Sequence, residues 1–144
     1  MANRYKDLNN SVHFQEYNKP EEVWMDSKIS DKWNKIKDLR MSVNNEIEEK
    51  RKAGKIGSSL EAKIKLEVNE MFFKFLQKFD LNEIFICSDV SLLLNPKLID
   101  YEVNVFAEKA SGMKCERCWK FLKEVNEKTR LCLRCEKVLE KKID

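Results

Sequence analysis

The stretch Lys114–Leu139, KCERCWKFLKEVNEKTRLCLRCEKVL, contains two Cys-x-x-Cys pairs that together hold four of the chain's five cysteines. Each pair can bring two thiolates to one ion at ~2.3 Å, and two pairs complete a tetrahedron. Four soft sulfur ligands suit zinc, and a site closed by four protein ligands is structural rather than catalytic. The spacing therefore predicts one structural Zn²⁺ bound by Cys115, Cys118, Cys132 and Cys135.

Two disulfides, a redox dithiol and an iron–sulfur cluster are the competing interpretations of these four cysteines. The polar start of the chain lacks a signal-peptide core, and no apolar run approaches the roughly 20 residues that span a bilayer. We therefore expect a cytoplasmic protein with no membrane partner, where cysteine clusters bind metal more often than they form structural disulfides. A redox protein would need only one Cys-x-x-Cys pair. Iron in place of zinc stays open.

Basic residues surround the cysteine pairs, and the segment 113–144 has ten Lys or Arg against six Asp or Glu. In one interpretation these cations neutralise a zinc–thiolate centre of net charge −2, and the tryptophan covers a small core. In the other, they contact phosphates while the tryptophan stacks on an unpaired base. The candidate nucleic-acid contacts are Lys114, Arg117, Trp119, Lys120 and Arg134. The net charge of the whole chain, +3, is too small to decide between the two.

Residues 28–52 have the apolar period of an amphipathic helix, with apolar residues at steps of three and four. These residues are Ile29, Trp33, Ile36, Val43 and Ile47. Ser27 or Ser30 is a candidate N-cap, and Gly54 is a candidate stop. Nothing before the helix looks able to cover its apolar stripe, so we expect the stripe to lack a partner within the chain.

The middle of the chain changes period several times. Residues 60–68 alternate between apolar and charged, which is typical of a half-buried strand. Phenylalanines at helical spacing follow, with Asn69 as a candidate N-cap. We predict, in order, a strand at 60–68, a helix at 69–80, an inner strand at 83–90, a loop at 92–100 and a strand at 101–110. The first two strands should be parallel, with Cys87 as a core residue.

The predicted fold class is α+β. It combines a long amphipathic helix, a small three-stranded β-α-β-β unit and a C-terminal four-cysteine zinc finger. The finger has too few large apolar residues to fold on a core alone, so its folding should depend on the metal.

The strings KASGMKCERCWK (109–120) and LCLRCEKVL (131–139) resemble the C-terminal zinc finger of bacterial isoleucyl-tRNA synthetases. Related fingers occur in the formamidopyrimidine-DNA glycosylase family. The upstream strings favour the synthetases, because they resemble the sequence between the anticodon-binding helices and the finger, in the same order. They are SVHF (11–14), KWNKIKDLRMSVNNEIEEKRKAGKIGSSLEAKIKLEV (32–68) and ICSDV (86–90). The resemblance extends from about Ser11 to Leu139.

The resemblance implies an isoleucine–tRNA ligase, a class I enzyme that joins isoleucine to its tRNA through an adenylate made from ATP. The family's His-Ile-Gly-His and Lys-Met-Ser-Lys-Ser motifs do not occur in these 144 residues. We therefore expect a C-terminal piece with no catalytic residues and no activity of its own, with ATP used only in the catalytic domain. The implied partners are tRNA(Ile), contacted on its anticodon side, and the remaining domains of the same synthetase.

The resemblance also implies three domains. Residues 1–57 would be the C-terminal helical part of the anticodon-binding domain, 58–109 a small α/β junction unit, and 110–144 the zinc-finger domain. Two alternatives remain: a free-standing zinc-ribbon module that binds nucleic acid, and a structural module whose finger packs against other protein domains.

Overall fold

The computed structural model describes residues 19–140, and every structural statement below refers to that range. The SVHF string lies outside it. The chain divides into two units, with the boundary after Lys32 inside the first helix. In the first unit, a short 3₁₀ turn at Glu22–Trp24 precedes this helix. No helix among the described residues has the length and apolar character needed to cross a membrane.

Helix α1 comprises Ser27–Lys52. Asp26, rather than either predicted serine, caps it: its Oδ1 accepts hydrogen bonds from two first-turn amides at 2.8 and 3.1 Å. At the other end Gly54 has φ 68°, and the amide of Lys55 donates to the carbonyl of Lys50 at 3.0 Å. This is a Schellman motif, which glycine forms without steric cost. The predicted helix and its glycine stop are therefore confirmed.

Three strands form one sheet in the order β2-β1-β3: β1 is Ala62–Val68, β2 is Asp89–Leu94 and β3 is Val103–Lys109. The central strand β1 is parallel to β2 and antiparallel to β3. Its residues alternate between fully and partly buried, as the sequence pattern predicts. The three-stranded β-α-β-β unit and its parallel first pair are confirmed.

The second strand was predicted in the wrong place. The short helix α3, Leu81–Phe85, includes the first three residues of the strand predicted at 83–90. Strand β2 begins only at the last two residues of that prediction and continues into the predicted loop. Asp80 caps α3 by accepting hydrogen bonds from two of its amides, and Ile86 ends it in the left-handed conformation with φ 54°. These local hydrogen bonds outweigh the β-propensity of the Ile-Phe-Ile run. Helix α2, Glu70–Leu76, has the predicted cap at Asn69.

Helix α1 packs against the sheet, so the expectation that its apolar stripe lacks a partner is wrong. One core cluster unites residues from α1, β1, α2 and α3. Its fully buried members include Ile36, Val43, Ile64, Leu66, Phe72, Leu76 and Phe85. Only the N-terminal end of the stripe stays open, where Ile29 is 52% and Trp33 45% exposed. The domain limits at residues 57 and 109 stay a prediction.

The C-terminal region has its own small core. Strands β4, Met113–Lys114, and β5, Phe121–Leu122, form an antiparallel hairpin, and helix α4, Leu133–Glu140, follows. The core consists of three cysteines and Val125, with partly buried neighbours. Gly112 begins this region with φ 109°, and a Cβ placed there would lie 2.4 Å from the backbone of Leu122. Only glycine permits that approach.

Candidate metal centre and basic surface

The first cysteine pair lies on the turn between β4 and β5. The amide of Trp119 donates to the carbonyl of Cys115 at 2.8 Å, and the amide of Cys115 donates to the carbonyl of Lys120 at 2.9 Å. These two bonds close a tight turn that places Cys115 and Cys118 side by side. The second pair lies at the start of α4, where Cys132 precedes the helix and Cys135 is in its first turn.

The four cysteine sulfurs converge on one point. All four Sγ atoms lie within 4.8 Å of one another, and those of Cys118 and Cys132 are 3.8 Å apart. A tetrahedral zinc site with Zn–S bonds of ~2.3 Å has sulfur–sulfur edges of about 3.8 Å. The sulfurs are free thiols rather than disulfides. The donor set therefore fits one tetrahedral metal ion, and it brings together the four residues that the spacing indicated.

Backbone amides prepare one of these sulfurs to carry negative charge. Burial acts to raise the pKa of the Cys115 thiol, but hydrogen bonds from the amides of Cys118, Cys132 and Arg117 lower this pKa to about 6. The amide of Cys132 lies 3.3 Å from the Cys115 sulfur. Burial, together with the neighbouring thiols, raises the pKa of Cys132 to about 12. Four such sulfurs can all ionise together only beside a cation.

The basic residues predicted around the cysteines divide into two groups. Arg117 is exposed and donates to the Cys135 sulfur at 3.7 Å, as expected of a side chain that offsets thiolate charge. Lys120 and Arg134 both contact one carboxylate oxygen of Glu83 on α3, each at 3.0 Å. The Lys120 side chain is only 16% exposed. Sequence patterns cannot find Glu83, because its partners lie 37 and 51 positions away.

Trp119 does not cover the small core. It is 59% exposed, and its backbone adopts the left-handed conformation with φ 66°. Its indole N–H donates to the carbonyl of Glu116 at 3.1 Å, and the ammonium of Lys114 lies 5.4 Å from the ring centroid. The result is an oriented, solvent-facing aromatic ring with a cation beside it.

Residues 112–138 match the model of a zinc finger found in FPG and IleRS. The isoleucine–tRNA ligase of Natranaerobius thermophilus is 34% identical over 148 residues, covering 93% of this chain and 16% of the relative. Those of Staphylococcus epidermidis and Staphylococcus aureus are each 38% identical over 90% of this chain and 15% of theirs. The chain matches the C-terminal region of isoleucine–tRNA ligases. The resemblance predicted from the motifs is thereby confirmed.

The relatives are enzymes, and the chain spans about one sixth of the length of the isoleucine–tRNA ligases it matches. The match covers the α/β unit as well as the finger. It therefore favours the ligases, since the finger model, which covers residues 112–138 alone, is found in both FPG and IleRS.

Proposed function

We propose that this chain is the C-terminal region of an isoleucine–tRNA ligase and that it binds the anticodon side of tRNA(Ile). In this proposal the charging reaction, with its ATP, takes place in the enzyme's other domains, which are the chain's protein partners in the cytoplasm. The similarity over nine tenths of the chain supports the parent enzyme. The exposed indole of Trp119 on the finger is the observation that carries the tRNA contact.

In this proposal one Zn²⁺ is the structural ion of the finger, held by Cys115, Cys118, Cys132 and Cys135. Structural zinc supplies on the order of 10–16 kcal/mol of apparent binding energy, enough to fold a unit that has almost no apolar core of its own. The two Cys-x-x-Cys turns bring the β4–β5 hairpin against α4. The amides directed at the Cys115 sulfur stabilise the thiolate that such an ion requires.

The backbone of Trp119 is the main argument for a role in binding. A left-handed conformation costs a residue other than glycine roughly 1–2 kcal/mol. Trp119 carries this cost, and its ring is 59% exposed and is not part of the finger's core. Its presence is explained if the ring binds a ligand. An aromatic ring that stacks on an unpaired base contributes roughly 1–3 kcal/mol to binding.

The neighbouring cations favour a nucleic-acid ligand over an apolar one. Lys114 lies beside the indole ring, and Arg117 is exposed on the same turn. A nucleotide stacked on Trp119 would place its phosphates near these two side chains. Lys120 and Arg134 already share a carboxylate, so we expect them to contribute less to phosphate binding.

The test is a tRNA-binding assay with the Trp119→Ala variant of the metal-loaded chain, followed by fluorescence anisotropy of labelled tRNA(Ile). We expect the dissociation constant to rise ~5- to 150-fold, which corresponds to roughly 1–3 kcal/mol, while metal content stays unchanged. The matched control is Trp24→Ala, since Trp24 is also a tryptophan and is 69% exposed. It should bind like the wild type.

Equal binding by the Trp119→Ala variant and the wild type would contradict the stacking role. If the wild-type chain shows no tRNA affinity even at low salt, the tRNA proposal fails, and the finger is a module that packs against other protein domains. Elemental analysis tests the metal separately: one zinc per chain is expected, and stoichiometric iron would contradict the assignment.

A further inference from the structure

Residues 119–121 of the finger include one exposed side chain and two residues that contact the α/β unit. The amide of Phe121 donates to the Ser88 hydroxyl at 2.7 Å, and the ammonium of Lys120 contacts Glu83 at 3.0 Å. Trp119, the next residue toward the N-terminus, is exposed. Two successive residues are thus attached to the α/β unit immediately beside the one that faces solvent. The direction of the indole ring therefore depends on how the finger is attached.

Ser88 provides the buried part of this attachment. It is the one buried polar residue among those the structure describes, with 4% exposure. Its hydroxyl donates to the carbonyl of Leu60, which precedes β1, and accepts from the amide of Phe121 at the start of β5. A buried hydroxyl with both a donor and an acceptor satisfied fixes the relative position of the segments it joins. Ser88 thus connects the sheet to the finger.

Glu83 provides the charged part of the attachment between the finger and the α/β unit. Its Oε1 contacts Lys120, which follows the first cysteine pair, and Arg134, which lies within the second pair. One carboxylate therefore attaches both halves of the finger to α3. The Lys120 hydrogen bond, with smaller contributions from the charges of Lys120 and Arg134, lowers the pKa of Glu83, so the carboxylate is charged at neutral pH. The Arg134 pair is exposed, and exposed ion pairs contribute little to global stability. These contacts therefore point to a role in orienting the finger.

We propose that Glu83 and Ser88 are positioning residues for tRNA binding, which hold the finger in the orientation that presents Trp119 to the RNA. Lys120 and Arg134 then form ion pairs within the protein and do not contact phosphates. This inference rests on the proposed tRNA-binding function. We name this pair of attachments, at Glu83 and Ser88, the finger dock.

The two possible roles of Lys120 and Arg134 predict opposite changes in tRNA affinity when the Glu83 charge is removed. If Lys120 and Arg134 contact phosphates, Glu83 competes with the RNA for them. Its loss would then tighten binding and steepen the salt dependence, since each added phosphate contact adds about 0.7–0.9 to the slope of log K against log salt. If they only hold the finger in place, its loss removes one of the two attachments, loosens the orientation of the finger, weakens binding and leaves the slope unchanged.

The experiment compares Glu83→Gln with the wild type in the metal-loaded chain, measuring tRNA(Ile) affinity at several salt concentrations. We expect the dissociation constant to rise ~3- to 10-fold with the same salt slope and the same metal content. The matched control is Glu70→Gln, which removes another exposed carboxylate paired with a lysine, on α2. Its affinity should equal that of the wild type.

Residual dipolar couplings of backbone amides report the orientation of the finger directly and without RNA. We expect one alignment tensor to describe the α/β unit and the finger in the wild type, and two different tensors in Glu83→Gln. Tighter binding with a steeper slope, or unchanged affinity and a single tensor in the variant, would overturn the finger dock. If the wild type binds no tRNA, the proposed function fails, and the couplings still decide whether Glu83 orients the finger.

Discussion

Replacing Gly112 by alanine tests whether the finger folds around its metal in the geometry seen here. Gly112 has φ 109°, a conformation that side chains rarely adopt, and it begins the β4–β5 hairpin. A Cβ at this position would lie 2.4 Å from the carbonyl carbon and oxygen of Leu122 and 2.7 Å from the nitrogen of Lys123. These are backbone atoms, so the overlap can be relieved only by moving the hairpin.

Two costs combine in the Gly112→Ala variant. A residue forced into a sparsely populated backbone region costs roughly 1–3 kcal/mol. Overpacking against backbone that must shift costs roughly another 1–3 kcal/mol. Because the hairpin is short and can partly adjust, we expect the substitution to destabilise the folded finger by about 3 kcal/mol in all. Metal binding and finger folding are coupled, so this cost should appear as a loss of zinc affinity of about 100-fold.

The assay is zinc competition against a chromophoric chelator, with circular dichroism to follow the α/β unit. Gly54→Ala is the matched control, because Gly54 also has positive φ but a Cβ there meets nothing within 4 Å. It should cost about 1 kcal/mol in the stability of the α/β unit and leave zinc affinity unchanged. Wild-type zinc affinity in Gly112→Ala would refute the proposed coupling between hairpin geometry and metal binding.

Four further predictions test other parts of the structure. Trp119→Gly should keep or slightly raise finger stability while weakening tRNA binding, because it relieves the left-handed strain; chelator competition and anisotropy measure the two effects. Val43→Ala should lower the free energy of unfolding in urea by roughly 2 kcal/mol, since Val43 lies on the buried face of α1 with no exposed surface. Cys87 should resist thiol reagents in the native protein, because burial raises its pKa to about 12, and Cys87→Ala should keep full metal content. The hydrogen bond from Lys50 lowers the pKa of Glu46. The ionised Glu46 therefore adds roughly 0.5 kcal/mol to the free energy of unfolding above the ordinary carboxyl pKa, and this contribution is lost as pH falls through the lowered value. The stabilities of wild type and Glu46→Gln should therefore differ at pH 7 and converge in acid.

Much of the architecture could be predicted from local patterns. The alternation along β1 places one face in the core, and the amide of Phe72 finds the Asn69 cap three residues away. The two cysteine pairs each fit within a single turn, so their spacing indicated the metal cluster without knowledge of the rest of the fold. The position of β2 could not be predicted. An Asp cap and a left-handed Ile86 convert a β-rich run into a helix.

The sequence by itself determined which residues share a face and which thiols converge, because backbone geometry fixes those relations over a few positions. Only the tertiary structure decided what each face packs against. The stripe of α1 fits any apolar surface, and the fold places Ile36 and Val43 in one core with residues of the sheet, α2 and α3. Likewise, only the fold joins Glu83 to both halves of the finger and leaves Trp119 exposed. Hydrophobic burial is not directional, and ion pairs between distant residues leave no periodic pattern in the chain, so neither can be deduced from local sequence.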